Sequence, residues 1–256
     1  PVWSPDGHWV AFVSWSTEGG HVWKTRADGS GDPVRLTATP GIYQSPAWSP
    51  DGGRIVLIQG AARAMHESAG PRPVGASRNI VWVSDEGGDW QMVAPTDGRS
   101  APHFSSDPER IYLYHAEDGL VSIRWDGTDE KEHLKVTGFS ATRGGEPANA
   151  SAIRMAPVDD RALARVGNDL YTVTVPRVGE APTVSVQDPD NASMPVERIT
   201  EFGGEFPSWS ADGGTVVWAL GNAYFRYDLA RAQAVADSLE NPIGQLGLQA
   251  ALYYIK

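Results

Sequence analysis

The stretch Pro46-Ala47-Trp48-Ser49-Pro50-Asp51-Gly52 decides the fold, because the chain repeats it. Nearly the same letters occur at residues 1–7 and 207–213, and more degenerate copies occur at 102–107 and 155–160. With the aromatic residue, or Met155, as marker, the copies lie at positions 3, 48, 104, 155 and 209. The intervals are therefore 45, 56, 51 and 54 residues. The chain is built from a repeated unit of about 50 residues, which is the sequence pattern of a repeat architecture.

Each motif copy is followed by runs of β-branched and aromatic residues, which predict strands. The first runs are 9–13, 54–58, 110–114 and 215–218, and the second runs are 21–23, 79–83, 120–123, 169–173 and 223–225. Several second runs end in a Gly-containing turn such as Asp28-Gly29 or Asp126-Gly127, as hairpins do. Short strands at this period predict an all-β fold, a β-propeller with at least five radially arranged sheets. We expect the last sheet to be incomplete, or completed by chain outside these residues.

The residues of the motif have a structural role in this interpretation. The aromatic residue packs between neighbouring sheets, and Ser with Pro-Asp-Gly forms a tight turn. Asp is common in such turns because its carboxylate accepts nearby backbone N–H groups. We therefore predict that Asp6, Asp51 and Asp212 form turns and are not catalytic acids.

Composition excludes several classes of protein. The 256 residues contain 21 Lys and Arg against 32 Asp and Glu, a net charge of −11, and the basic residues are not clustered. Such a chain repels a polyanion, so nucleic acid is not an expected partner. No apolar run reaches the length of about 18 residues that a membrane span needs. The absence of Cys fits a periplasmic or secreted protein.

The motif, followed by an apolar strand and a strand ending near Asp-Gly, resembles the TolB-like propeller repeat. Similar repeats occur in TolB of the cell envelope, in tricorn-type proteases and in the propellers of prolyl-oligopeptidase-like enzymes. The resemblance covers residues 1–228. It implies a ring that usually closes with six blades, of which five copies are present here.

Two stretches, 203–209 and 218–228, resemble the last blade of TolB-like propellers that precede an amidohydrolase domain on the same polypeptide. The tail fits this resemblance: residues 229–239 predict a short helix with Asp228 at its N-cap, and 252–256 predict a strand leaving for the next domain. The expected organisation is a propeller over 1–228 and a helical linker and strand over 229–256. The resemblance implies a divalent metal such as zinc in that missing domain, and no cofactor in this chain.

Catalytic motifs are absent from the sequence. The six His have neither the His-x-His spacing of an amidohydrolase metal site nor the i, i+4 spacing of a helical zinc site. No Gly-x-Ser-x-Gly elbow, Walker loop or Gly-x-Gly-x-x-Gly fingerprint occurs. His103 and His115 are expected to be surface or turn residues. We predict no catalytic and no metal-binding residue.

Two long loops are the candidate binding regions, because loops of this length are often functional. Residues 60–78 interrupt the second repeat, and residues 140–151 form the other loop. Their candidate residues are Arg63, His66, Glu67, Arg72 and Arg78 in the first and Arg143 in the second. Guanidinium groups suit carboxylates and phosphates, so we expect the first loop to contact an acidic substrate or a neighbouring catalytic domain. The alternative is a solvated loop whose Arg side chains pair with surface acids.

Three functions remain open from the sequence. The first is a non-catalytic propeller for substrate gating, docking or protein interaction in a larger amidohydrolase-type hydrolase, with the adjacent domain or a partner protein as its partner. The second is the propeller of a prolyl-oligopeptidase or tricorn-type peptidase. The third is a free-standing TolB-like interaction propeller.

Overall fold

The structure is a computed structural model that describes residues 1–61, 77–139, 145–240 and 252–255. The chain divides into two compact units, Pro1–Glu132 and His133–Lys256. Both are built almost entirely from short antiparallel strands. Apart from one turn of 3-10 helix at Pro189–Asn191, the described residues before Leu229 contain no helix.

The first unit contains three groups of strands, each ordered along the chain. The first group is β1 (Val2–Trp3), β2 (Trp9–Ser16), β3 (Gly19–Arg26) and β4 (Val34–Arg35). The second is β5 (Gly41–Trp48), β6 (Arg54–Ala61), β7 (Arg78–Ser84) and β8 (Gln91–Pro95), and the third begins with β9 (Ser100–His103), β10 (Arg110–His115) and β11 (Gly119–Arg124). The first two groups are joined by the pair Gly20 with Gly41 and by an isolated bridge between Thr37 and Gly88. We call these groups the first, second and third sheets.

The second unit contains two further sheets. The fourth sheet is β13 (Ala152–Met155), β14 (Arg161–Val166), β15 (Asp169–Thr174) and β17 (Val196–Arg198). The fifth is β18 (Glu205–Trp209), β19 (Thr215–Leu220), β20 (Ala223–Asp228) and β21 (Leu252–Ile255). Strand β12 (Lys131–Thr137) begins at the end of the first unit and pairs in parallel with β16 (Thr183–Ser185) in the second.

Each motif copy ends the first strand of a sheet. The marker residues at 3, 48, 155 and 209 are the last residues of β1, β5, β13 and β18, and Phe104 directly follows β9. The predicted strands of all five repeats are therefore confirmed, because the aromatic residue and the turn after it fix where one strand stops and the next begins.

The core lies between successive sheets inside each unit. The second sheet is buried on both faces, with Ile55 and Leu57 in the cluster shared with the first sheet and Val56 and Ile58 in the cluster shared with the third. This alternation is the period of two that a strand imposes on its side chains. Strands buried on both faces explain why the sequence shows unbroken apolar runs there.

The tail differs in one respect from the sequence-based expectation. Helix α1 (Leu229–Glu240) forms as predicted, and the Asp228 carboxylate accepts the N–H of Arg231 at 3.0 Å as an N-cap does. Strand β21, however, pairs antiparallel with β20, so it completes the fifth sheet. The prediction that the last sheet is incomplete, or completed by chain outside these residues, is wrong, because the free edge of β20 offers N–H and C=O groups that β21 satisfies. That residues 229–256 lead to a further domain stays a prediction.

Candidate functional site

The polar groups of the motif turns form hydrogen bonds with one another. In the second sheet the Ser49 hydroxyl donates to Asp51 Oδ1 at 2.5 Å and accepts the N–H of Arg54 at 3.0 Å, while Asp51 Oδ1 also accepts the N–H of Gly53 at 3.1 Å. Ser4 with Asp6 and Ser210 with Asp212 repeat this pattern.

These bonds lower the pKa of all three carboxyl groups, and the Ser hydroxyl is the largest cause each time. The carboxylates of Asp6, Asp51 and Asp212 accept N–H groups of their own turns, so these residues are turn formers, as predicted.

The motif tryptophans join neighbouring sheets within each unit. The indole N–H of Trp48 donates to the carbonyl of Val2 at 3.2 Å, and that of Trp209 donates to the carbonyl of Arg154 at 3.2 Å. Both acceptors lie one residue before the marker position of the preceding sheet. The motif aromatic is therefore a structural link.

The two histidines considered from the sequence differ. His115 ends β10 with Nδ1 2.7 Å from a carboxylate oxygen of Asp118, as a strand-end residue would. His103 is buried in β9, its Nδ1 lies 2.8 Å from the carbonyl oxygen of Ala101, and its ring centroid lies 5.9 Å from that of Tyr112. The surface or turn prediction is wrong for His103, because β9 includes this motif position and turns the side chain inward. Among the described residues, no group of three or more His, Asp or Glu is arranged to hold a metal ion.

Most of the long loop predicted over residues 60–78, which we call the basic loop, lies outside the described residues. Arg63, His66, Glu67, Arg72 and Arg143 all lie outside them. Arg78 is the first residue of β7, where its Nη1 donates to Gln44 Oε1 on β5 at 3.1 Å. The candidate role of these residues stays a prediction.

A bulge recurs at the start of three sheets and was not predicted. Ser45, Ala101 and Phe206 each precede a proline and have φ between 51° and 52°, in the left-handed region. At each of them the first strand advances three residues while its partner advances two. A non-glycine residue in this conformation costs about 1–2 kcal/mol. Bulges that are retained despite such strain re-aim side chains at rims and binding sites.

Phe206 is the exception among the three bulge residues. Its equivalents are Ser45 and Ala101, which are small, whereas the Phe206 ring is 83% exposed. Four residues earlier, Phe202 is 78% exposed. Residues 202–207, which we call the docking segment, therefore display two aromatic side chains to solvent, flanked by the exposed Glu201 and Glu205.

The backbone between these rings is fixed by two glycines. A Cβ on Gly203 would lie 2.9 Å from the carbonyl oxygen of Asn168, and one on Gly204 would lie 2.7 Å from Trp218 Cδ1. The N–H of Gly204 donates to that same carbonyl of Asn168 at 2.9 Å. The docking segment is therefore pressed against the fourth sheet and the core, while its phenylalanines point away from it. The sequence carries one signal for this segment, the pair Gly203-Gly204 shortly before Phe206-Pro207.

Comparisons with known proteins place the fold. No protein-family model matches the chain, and no curated protein matches its sequence. Among solved structures it is similar to TolB from Acinetobacter baumannii, with a TM-score of 0.53 and 15% identity over 89% of this chain and 50% of that one.

Two further structures are comparable. A putative TolB from Agrobacterium tumefaciens gives a TM-score of 0.51 and 20% identity over 82% of this chain and 69% of that one. An oligogalacturonate lyase in complex with manganese gives a TM-score of 0.52 and 8% identity over 90% of this chain and 73% of that one.

The similarity shows that the fold is a β-propeller like that of TolB, and at these identities it shows the fold alone. The chain spans half the length of the Acinetobacter TolB. In the part of the chain that the structure describes, no helix has the length and apolar character needed to cross a membrane.

Proposed function

We propose that this chain is a non-catalytic propeller domain that docks the hydrolase domain of a larger, amidohydrolase-type polypeptide in the periplasm or outside the cell. The observation that carries the proposal is the exposure of Phe202 and Phe206 on a backbone that is held in place. A paired display of large aromatic rings is a feature of interaction surfaces, since single scattered apolar residues need no explanation but grouped ones do.

The energetics favour docking at this place. Burying a Phe side chain contributes about 1.5–3 kcal/mol, so two rings supply enough to anchor a small interface. Aromatic anchors dominate binding energy when they are rigid, because little conformational entropy is lost on association. The glycine contacts and the pre-proline conformation of Phe206 provide that rigidity.

The choice of partner rests on the sequence of the same segment. Residues 203–209 belong to the stretch that resembles the last blade before an amidohydrolase domain. Glu201 and Glu205 flank the rings, so the complementary surface should be apolar with a basic rim. A catalytic metal such as zinc would be held by that domain and not by this chain.

The continuation of the polypeptide tests the partner. Sequencing about 100 residues beyond Lys256 should reveal a His-x-His strand. A serine elbow there would indicate the peptidase alternative instead. The absence of any further domain would favour a free-standing interaction propeller, the alternative that the fold similarity to two TolB structures supports.

The docking segment is tested in the full-length polypeptide. We expect the double variant Phe202→Ser/Phe206→Ser to lower catalytic efficiency and to make the two domains separable by limited proteolysis. The matched control is Val178→Ser, which removes a side chain that is 85% exposed on the same unit. Equal behaviour of the double variant and the control would contradict docking at this segment.

The basic loop is proposed as a second contact. Arg63→Ala, Arg72→Ala and Arg78→Ala combined in the full-length polypeptide should weaken substrate binding or domain association. Unchanged catalytic efficiency and unchanged association would reduce the loop to surface ion pairs, each worth about 0–1 kcal/mol.

A lack of activity in the isolated chain is also part of the proposal. Residues 1–256 with added zinc or manganese should not turn over peptide, amide or ester substrates. Turnover that a single substitution in this chain abolishes would overturn the non-catalytic assignment.

A further inference from the structure

Two arginines of the fourth sheet differ from the other two arginines of that sheet, Arg161 and Arg198. Arg161, Arg177 and Arg198 each pair with a named carboxylate, those of Asp159, Asp160 and Asp169. Arg154 on β13 and Arg165 on β14 have no carboxylate partner among the described residues.

The strand register places both side chains on one face. Ala152 lies opposite Arg165, and Arg154 lies opposite Leu163, so the two arginines are diagonal neighbours. Diagonal neighbours on antiparallel strands have Cβ atoms about 7–8 Å apart, which long side chains can bridge. Two guanidinium groups can therefore converge on one ligand.

The face concerned is the one that packs against the fifth sheet. Leu163 and Leu170 lie on it and share a core cluster with Val216 and Trp218. Arg165 lies opposite Leu170 and three residues before Asn168, the residue against which Gly203 packs. The arginine pair thus lies at the edge of an apolar core, at the end of the fourth sheet that supports the docking segment.

Arg165 carries an unsatisfied donor. Its Nε is buried and has no hydrogen-bond partner within the described part of the chain. Native proteins pair almost all buried polar atoms, and a charged donor is among the most costly to leave unpaired. Arg154 is exposed as a residue, yet desolvation still lowers the pKa of its guanidinium. An acceptor supplied from outside the chain would satisfy both groups.

We propose that Arg154 and Arg165 form a binding site for an oxyanion, a carboxylate or phosphate group carried by a small molecule. Guanidinium groups match planar and tetrahedral oxyanions through paired N–H donors. The acidic chain repels a polyanion, which restricts the ligand to one or two negative charges.

The experiment is an NMR titration of the 256-residue chain with inorganic phosphate and, separately, with succinate. Sodium chloride at matched ionic strength is the reference. We expect saturable amide shifts around residues 152–154 and 163–165, and the tighter of the two probes identifies the oxyanion source. Shifts that do not saturate, or that chloride reproduces, would overturn the site.

Variants decide which residues are responsible. Arg165→Gln and Arg154→Gln should each raise the Kd about tenfold, whereas Arg177→Gln, the control, should leave it unchanged. Arg165→Lys keeps the charge but loses the paired N–H donors of the guanidinium, so it should also weaken binding. This variant replaces Arg165→Gln in the test if Arg165→Gln does not fold. Wild-type affinity in Arg165→Lys and Arg154→Gln would overturn the proposal.

Thermal unfolding separates binding from a structural role. Phosphate should raise the Tm of the wild-type chain by linkage, because it binds only the folded state. Without phosphate, Arg165→Met should match or exceed the wild-type Tm, since methionine has no N–H donor at the position of the buried Nε. A lower Tm in Arg165→Met together with no phosphate effect on the wild type would assign Arg165 to stability alone.

Discussion

Two regions between neighbouring sheets differ in whether their cationic and aromatic side chains contact one another. Between the second and third sheets, the Arg54 guanidinium lies 5.1 Å from the Trp82 ring centroid and 4.6 Å from that of Trp125, and Trp125 stacks on Phe104 at 5.6 Å. Between the fourth and fifth sheets, Arg165 has an unpartnered Nε. The segment that leads into the fifth sheet displays two exposed phenylalanines.

The difference shows which groups the fold uses for itself. In the first region the Arg54 guanidinium lies against two tryptophan rings, and one of these rings stacks on Phe104, a cation–π arrangement that contributes to stability. In the second region an arginine donor and two aromatic rings are left without a partner. Groups that the fold leaves unsatisfied are the ones available to a ligand or a docking domain.

The largest expected effect on stability is in the first region, between the second and third sheets. Trp125→Ala should lower the free energy of unfolding by about 3 kcal/mol, because it removes a packed ring, one cation–π contact and the stacking on Phe104. The measurement is urea unfolding. Trp15→Ala, at a ring that is 47% exposed, is the control and should change stability much less. Equal losses in both variants would show that the stack is not a stabilising element.

An intermediate effect is expected under the docking segment. Gly204→Ala should destabilise the chain by about 1–3 kcal/mol, because its Cβ would meet Trp218 and Leu170 at 2.7 and 2.8 Å. Gly214→Ala is the control, since its Cβ would meet Asp212 only at ordinary contact distance, 3.5 Å. Thermal unfolding compares the two, and a neutral Gly204→Ala would contradict a tightly anchored segment.

A smaller effect is expected at the motif turns. Ser49→Ala should cost about 1 kcal/mol, because the hydroxyl both donates to Asp51 and accepts the N–H of Arg54. Ser208→Ala removes only a 3.3 Å bond to the carbonyl of the next residue and should be nearly neutral. Chemical denaturation at neutral pH distinguishes them, and the reverse order would refute the structural role of the motif serine.

The smallest expected effect is a dependence of folding stability on pH. The folded pKa values of Asp6, Asp51 and Asp212 are below the usual value, so their contribution is present above an unfolded pKa of about 3.9 and is lost as the pH falls through the folded pKa. Ser49→Ala combined with Ser210→Ala should flatten the fall in stability below pH 4. An unchanged slope in denaturation curves between pH 5 and pH 2.5 would show that these carboxyls are not linked to folding.

The sequence predicts the strands and turns because the motif carries local chemistry. The fourth copy shows the limit: Ala156 replaces the motif serine, yet its N–H still donates to the carbonyl of Arg161 at 2.7 Å. Backbone geometry therefore persists where the side-chain signal has faded.

The groups proposed to bind were not predictable in the same way. Exposure of Phe206 depends on a left-handed residue before a proline, and the isolation of Arg165 depends on strand register, neither of which a single sequence reveals. The arginines of the 60–78 loop could be proposed from the sequence because one long loop carries them, whereas Arg154 and Arg165 become neighbours only after the strands pair.

Hydrogen–deuterium exchange is the most direct test of docking at residues 202–207. The chain of 256 residues and the full-length polypeptide are compared under identical conditions, with the surface around Val178 as the internal reference. We predict that amides 202–206 exchange about tenfold more slowly in the full-length polypeptide, while the reference is unchanged, because a docked domain excludes water from the two rings. Identical exchange of the segment in both proteins would contradict docking there.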